Sequence, residues 1–255
     1  MKTAIYTIAV GRNYDLMVWG LHKTLRSLGQ YKGDFFVLTK NPGYHSYPGI
    51  KPIYLKHPIP DGPTRKQVCE GLKFTAWNEI LATGHDQYLY LDCDILVVNP
   101  IAPFIRQSEN IQFCRQVLGH TGTLNSQCFI DNLTPDEIEK YGNQPGWNSG
   151  TYIAEPRHTD ALDLLADGVR AGEPDQPYLN ALVLRDQVKV DSIPDHYMFF
   201  YLDSAHGKSF YRLYYRRHLT PSYILEHHIT QVDKKGTWYN RLYRLRTQIS
   251  RAKRI

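Results

Sequence analysis

The string QYLYLDCDILVVNP, residues 87–100, carries the clearest chemistry in the chain. An apolar run delivers Asp92 and Asp94 at its carboxyl end, with the small residue Cys93 between them and a second apolar run behind. Alternate residues of an extended chain share a face, and two carboxylates that close repel unless a cation neutralises them. Hard oxygen donors of this kind suit Mg²⁺ or Mn²⁺ bridged to phosphate oxygens. An Asp-x-Asp triplet by itself is weak, because about one arises by chance in a chain of this length at ordinary composition. Its position at the end of a buried strand is what raises it.

Such a pair needs a frame, and the N-terminal half alternates strand and helix signals. Ala4 to Val10 reads as a buried strand, Gly11 to Tyr14 as a turn, and Leu16, Leu21, Leu25 and Leu28 recur at helical spacing until Gly29. Strands at 34–39 and 51–55, a helix over 65–83 and the strand 87–91 follow. The second half is mixed: a strand at 111–116, an irregular stretch to Asn143, a strand at 150–155, helices over 158–171 and 175–184, short strands between 188 and 200, and a strand at 223–229. Strands separated by helices of this length predict βαβ units in a mostly parallel sheet, with ligands at the carboxyl ends of the strands. The expectation is one α/β domain over residues 1–238, followed by a basic, amphipathic C-terminal helix within 239–255.

The composition, 42% hydrophobic and 22% charged over 255 residues, is that of a globular protein and excludes disorder and collagen. Apolar runs fall far short of the roughly 20 residues that span a bilayer. The start MKTAIYTIAVGR lacks a signal-peptide pattern, so a cytoplasmic protein with reduced thiols is expected. Cys69, Cys93, Cys114 and Cys128 form no Cys-x-x-Cys pair. The net charge of +5 is unevenly placed: twelve Lys and Arg against only Glu226 and Asp233 fall in residues 205–255, so the preceding part is net acidic. A basic segment with interleaved tyrosines suits nucleic acid, an anionic membrane or a phosphorylated ligand.

YLDCDILVVNP resembles the Asp-x-Asp strand of GT-A nucleotide-sugar glycosyltransferases, particularly family 8, the glycogenin and lipopolysaccharide galactosyltransferase group. Four further stretches agree in order and approximate spacing. IAVGRNYDLMVWGLHKTLRSLG is similar to the family's opening strand, turn and helix. The resemblance implies that Ile8, Ala9 and Val10 give the nucleobase backbone contacts and that Tyr14 stacks on it. GLKFTAWNEIL places Lys73 at a family lysine near the donor phosphates and sugar, with Trp77 one turn later. A lysine in an otherwise apolar helical face also needs an anionic partner.

PGWNSGTYIAEP resembles the family's Asn-Ser-Gly turn, in which Asn148 would bond sugar hydroxyls and Gly150 would allow close backbone approach. EPDQPYLNALV matches the family's Asp-Gln helix start, so Asp175 and Gln176 would lie beside the sugar, with a plain N-cap by Asp175 as the structural alternative. ILEHHITQVDKKGTW is similar to the family's His-x-x-Gly-x-x-Lys-Pro-Trp motif. This makes His228 the third metal ligand after Asp92 and Asp94, and Lys234 a pyrophosphate contact. Gln231 and Lys235 stand where the family has Gly and Pro. One imidazole among oxygen ligands favours Mn²⁺ over Mg²⁺.

The resemblance implies a GT-A, Rossmann-like fold and metal-dependent transfer of a sugar from a UDP-sugar to a hydroxyl of a glycan, lipid-linked or protein acceptor, with retention of configuration. The alternatives are an inverting GT-A transferase, whose general base would come from Asp131, Asp136 or Glu137, and a sugar nucleotidyltransferase. A nucleic-acid-binding module using the basic segment is the non-enzyme alternative, and no nucleic acid is expected. The last helix, with Leu242, Leu245 and Ile249 on one face, could touch an anionic membrane.

Overall fold

A computed structural model describes residues 1–10, 12–56, 65–116, 122–126, 129–202 and 225–229. The expected strand-helix alternation is present. Strand β1 (Thr3–Ala9) leads into α1 (Arg12–Ser27); β2 (Asp34–Thr39) and β3 (Lys51–Tyr54) follow. Helices α2 (Arg65–Thr75) and α3 (Trp77–Leu81) precede β4 (Gln87–Leu91) and the short β5 (Ile95–Val97). Then come β6 (Ile111–Arg115), α4 (Pro135–Tyr141), β7 (Trp147–Ala154), α5 (Thr159–Arg170), α6 (Asp175–Leu184), β8 (Val190–Ile193), β9 (Met198–Leu202) and β10 (Leu225–Ile229).

Seven strands form the central sheet in the order β3-β2-β1-β4-β7-β6-β8. β7 runs antiparallel to both its neighbours, and every other pairing is parallel. The carboxyl ends of β1, β4 and β6 and the start of β7 therefore share one edge. The chain moves outward from β1 to β3, then returns to the other side of β1 as β4. That reversal of strand order opens a crevice at the carboxyl ends of β1 and β4. A second sheet, β5-β10-β9, begins where Asp94 ends the turn after β4.

Period-two alternation explains the two cores. Tyr6, Ile8, Tyr88, Tyr90 and Tyr152 face α2, α5 and α6, whereas Ile5, Ala9, Leu89, Leu91 and Ile153 face α1. Met17, Val18, Leu21 and Leu25 supply the buried stripe of α1. Among the described residues no helix is long and apolar enough to cross a membrane.

Three expectations change. The single helix over 65–83 is two helices, because Ala76 leaves helical geometry at φ −99°, ψ 20°. Trp77 then turns into the core, its indole donating to Thr159 Oγ1 at 3.1 Å and its ring edge-on to Tyr88, rather than lining a site beside Lys73. The irregular stretch to Asn143 contains α4, started by a Thr134–Glu137 capping box and Pro135. The turn after β1 is shorter than expected, so Tyr14 lies in the first turn of α1. The C-terminal helix and Cys128 lie outside the described residues.

Close helix packing on the α2 side depends on glycine. A Cβ at Gly71 of α2 would come within 2.0 Å of Val169 Cγ1 on α5. Val169 is β-branched and stiff in its helix, so Gly71→Ala is expected to destabilise the protein by about 1–3 kcal/mol through overpacking. Chemical denaturation measures the loss.

Candidate active site

Continuing the β1–β4 register, in which Tyr6 faces Tyr90, sets Ile8, Ala9 and Val10 beside the Asp92–Asp94 turn. All three are buried. On the other side of β4, the Asp92 backbone N–H donates to the Gly150 carbonyl at 2.8 Å, tying the acidic turn to Asn148, Ser149 and Gly150, which the sequence placed in a turn and which lie instead within β7, where its register with β6 shifts. Both aspartates are half-buried at the mouth of the crevice, whereas Cys93 points away, its thiol 3.8 Å from the Met17 sulfur. Tyr14 stands half-buried at the same edge. Burial first, then the charges of Cys93, Cys69, Glu70 and Asp94, push its phenol up to about 12, so it remains a neutral ring and donor.

A buried polar cluster lies next to the acidic turn. Lys73 Nζ is 2.7 Å from Asp175 Oδ2 and donates to Ser149 Oγ at 3.1 Å. Ser149 Oγ in turn donates to Asp175 Oδ2 at 2.7 Å, and its backbone N–H donates to Gln176 Oε1 at 3.2 Å. Burial alone would lower the Lys73 pKa, but the charges of Asp175 and Asp92 more than reverse it, and the ammonium is held above its ordinary value. Burial likewise opposes ionisation of Asp175, but the Lys73 charge and the bonds from Lys73 and Ser149 hold its carboxyl below the usual range. Lys73 thus has the anionic partner its position demanded, and it does not snorkel to solvent.

Asp175 is not the cap of α6. Pro174 occupies that position, and the Asp175 side chain turns inward to Lys73 and Ser149. Fully buried Asn180 locks α6 to β7: its Oδ1 accepts from Trp147 N–H at 2.7 Å, and its Nδ2 donates to the carbonyls of Trp147 at 2.9 Å and Gln176 at 2.8 Å. Asn148 is buried too, and its amide braces β7 where its register with β6 shifts. Oδ1 accepts from Gly150 N–H at 2.9 Å, and Nδ2 points at Gln116 Oε1, 3.4 Å away.

Beneath these groups Tyr90 donates to Asp92 Oδ1 at 2.6 Å, while the Tyr152 hydroxyl donates to the Lys73 carbonyl at 2.5 Å and is bonded to Tyr6. Burial, followed by the Asp92 charge, pushes the Tyr90 phenol far above its ordinary value.

Of the expected site residues, Ile8, Ala9, Val10, Tyr14, Lys73, Asp92, Cys93, Asp94, Asn148, Asp175 and Gln176 thus gather at one sheet edge. β10 pairs antiparallel with β5, with His227 opposite Ile95, and His228 follows one residue beyond that pairing, opposite Tyr201 of β9. The His228 side chain, and Lys234 with its neighbours Gln231 and Lys235, lie outside the described residues. Among the described residues no three His, Cys, Asp or Glu side chains converge, so this part of the chain offers two hard carboxylate donors. That donor chemistry, with one Asp92 oxygen already fixed by Tyr90, fits a hard divalent cation.

Sequence reasoning assigned no role to Ser149, Tyr90, Gln116, Asn180 or Glu70. Tyr90 had a signal: it sits two residues before Asp92 on the same strand face. Glu70 lies one turn before Lys73, and its charge reaches both Lys73 and Tyr14. Of the alternative general bases, Glu137 is occupied. Bonds from Arg185 first, then from Thr134, push its carboxyl down to about 2.

No family model matches the chain, and no curated protein sequence matches it. Solved structures do match its fold. The chain is similar to galactosyltransferase LgtC in complex with donor and acceptor sugar analogues, with a TM-score of 0.63 and 16% identity over 95% of this chain and 94% of that one. It is also similar to an active-site glutamine-to-glutamate mutant of LgtC, with a TM-score of 0.62 and 15% identity over 94% of this chain and 95% of that one. The chain therefore has the fold of that galactosyltransferase, and the GT-A architecture expected from the sequence is borne out.

Proposed function

We propose that this chain is a glycosyltransferase that moves a sugar from a UDP-sugar to an acceptor hydroxyl, with retention of configuration. The observation that carries the reading is the junction of two differently charged halves at one sheet edge. The Asp92–Asp94 turn is bonded through its backbone to the segment of β7 that bears Ser149, which holds the buried Lys73–Asp175 pair. The fold shared with a galactosyltransferase solved with donor and acceptor sugar analogues supports it.

Ile8, Ala9 and Val10 would meet the base along their backbone, and Tyr14 would cover it. Asp92, Asp94 and His228 would hold a divalent cation, Mn²⁺ or Mg²⁺, whose chemistry when bound is to neutralise charge on the diphosphate leaving group. Lys73 and Lys234 add positive charge on the leaving-group side, where stabilising the departing anion is the largest contribution to rate. Asp175, kept ionised by Lys73, lies on the sugar side with Gln176, where a carboxylate steadies positive charge at the anomeric carbon. Asn148 braces the segment of β7 that presents Ser149 to that pair. With no free carboxylate assigned as nucleophile, attack from the face of the departing phosphate is the preferred route, the phosphate taking the acceptor proton.

A panel of UDP-sugars incubated with the protein tests the reading. One or more should be hydrolysed slowly, releasing UDP and free sugar, and EDTA should stop the release. Transfer products should keep the donor's anomeric configuration by NMR. An inverted product would overturn retention, and release unaffected by EDTA would overturn the metal.

A further inference from the structure

Tyr90 touches both halves of the site. It lies on β4 two residues before Asp92, and its hydroxyl donates to Asp92 Oδ1 at 2.6 Å. The same ring has the Lys73 ammonium 5.7 Å from its centroid. Tyr152 stacks on it at 5.2 Å and Tyr6 leans on it at 5.2 Å, both buried. Tyr152 also donates to the Lys73 carbonyl, so the block of three rings grips the backbone of α2 as well.

A phenylalanine would fill the same space between Tyr6 and Tyr152. The hydroxyl is therefore what needs explaining, and its bond goes to a half-buried carboxylate at the crevice mouth. A carboxylate on a strand end can rotate about χ2, which is a broad torsion. A fixed donor on Oδ1 removes that freedom and sets the orientation of the carboxylate. Partners of this kind around metal ligands set ligand orientation, and their loss typically weakens metal binding 10- to 100-fold.

We infer that Tyr90 is a positioning residue that fixes which oxygen of Asp92 faces the cation, while its ring seats Lys73 beside Asp175. The inference rests on the proposed metal-dependent donor site. Tyr90→Phe keeps the ring and its stacking and removes only the bond to Asp92. Tyr152→Phe removes a hydroxyl from the same block and leaves that bond in place.

The test is calorimetric titration of Mn²⁺ into the full-length protein saturated with UDP. Tyr90→Phe should weaken Mn²⁺ binding about 10- to 100-fold, while its metal-free UDP affinity and that of Tyr152→Phe match wild type. Mn²⁺ binding by Tyr152→Phe should also match. In donor hydrolysis, the Mn²⁺ concentration for half-maximal rate should rise by the same factor in Tyr90→Phe, and kcat at saturating Mn²⁺ should return to the wild-type value. A packing role alone would lower kcat at every Mn²⁺ concentration. Equal Mn²⁺ affinity in Tyr90→Phe and wild type would overturn the inference and leave the metal-dependent site standing. A wild-type protein that takes up no Mn²⁺ beside UDP would overturn that reading and the inference with it.

Discussion

Asp94→Asn is expected to lower UDP-sugar turnover about 10³-fold, at the level seen when a principal stabiliser of developing charge is removed, with little change in stability. The residue is half-buried in a turn at the crevice mouth rather than in either core. The amide is nearly isosteric with the carboxylate but carries no charge and is a poor ligand for a hard cation. Two carboxylates this close cost the fold repulsion, so neutralising one should not unfold the protein. Turnover measured at saturating donor and across Mn²⁺ concentration, alongside the thermal midpoint, separates the two effects. Retained turnover in Asp94→Asn would remove the carboxylate pair from the mechanism.

Lys73→Met is expected to be the most destabilising single change at the site, by about 3–5 kcal/mol, because it strands the Asp175 carboxylate without its cation. Only 5% of the Lys73 side chain and 11% of the Asp175 side chain are exposed. In the double variant Lys73→Met/Asp175→Leu the buried charges are gone together, and most of that stability should return while turnover stays lost. The pH dependence has a definite sign. In the wild type the Asp175 carboxyl is held below its ordinary 3.8, so its contribution is present above about pH 4 and is lost as pH falls through the depressed value. The Lys73 ammonium is held above its ordinary 10.5, so its contribution is full below that pH and is lost only as pH rises through the raised value. Without Lys73, burial dominates Asp175 and raises its pKa, and the penalty for ionising it grows with pH. In the wild type the pair should therefore keep its contribution from pH 6 down to about pH 4 and lose it below that, whereas Lys73→Met should gain stability as pH falls from 6 to 4. Parallel slopes in urea denaturation would contradict the pairing.

The parts of this site that were legible in the sequence are those governed by local pattern. β4 and the Asp92–Asp94 turn follow from an apolar run with an acidic end, and the edge on which they open follows from the strand-helix alternation. The need of Lys73 for an anion followed from its apolar helical face, but Asp175 as that anion, 102 positions away in the chain, emerges only when α2 and α6 pack on the same side of the sheet. Asn180 was opaque for the same reason, since two of its three bonds join α6 to β7. Trp77 misled because helical periodicity was carried through Ala76, where the backbone leaves the helix. The short α4 has no apolar stripe, so its signal was the Thr134-Pro135 cap rather than periodicity. The bond that Asn148 Oδ1 accepts from Gly150 N–H lies within β7 where its register shifts, and no local pattern announced it.

The central claim is that the Asp92–Asp94 edge binds a UDP diphosphate through a divalent cation. Isothermal titration of UDP into the full-length protein, once with Mn²⁺ and once with EDTA, tests it most directly. Binding that is at least about tenfold tighter with Mn²⁺, a difference of about 1.4 kcal/mol, and that disappears in Asp92→Asn/Asp94→Asn, is the predicted result. UDP affinity that is the same with Mn²⁺ and with EDTA would contradict it.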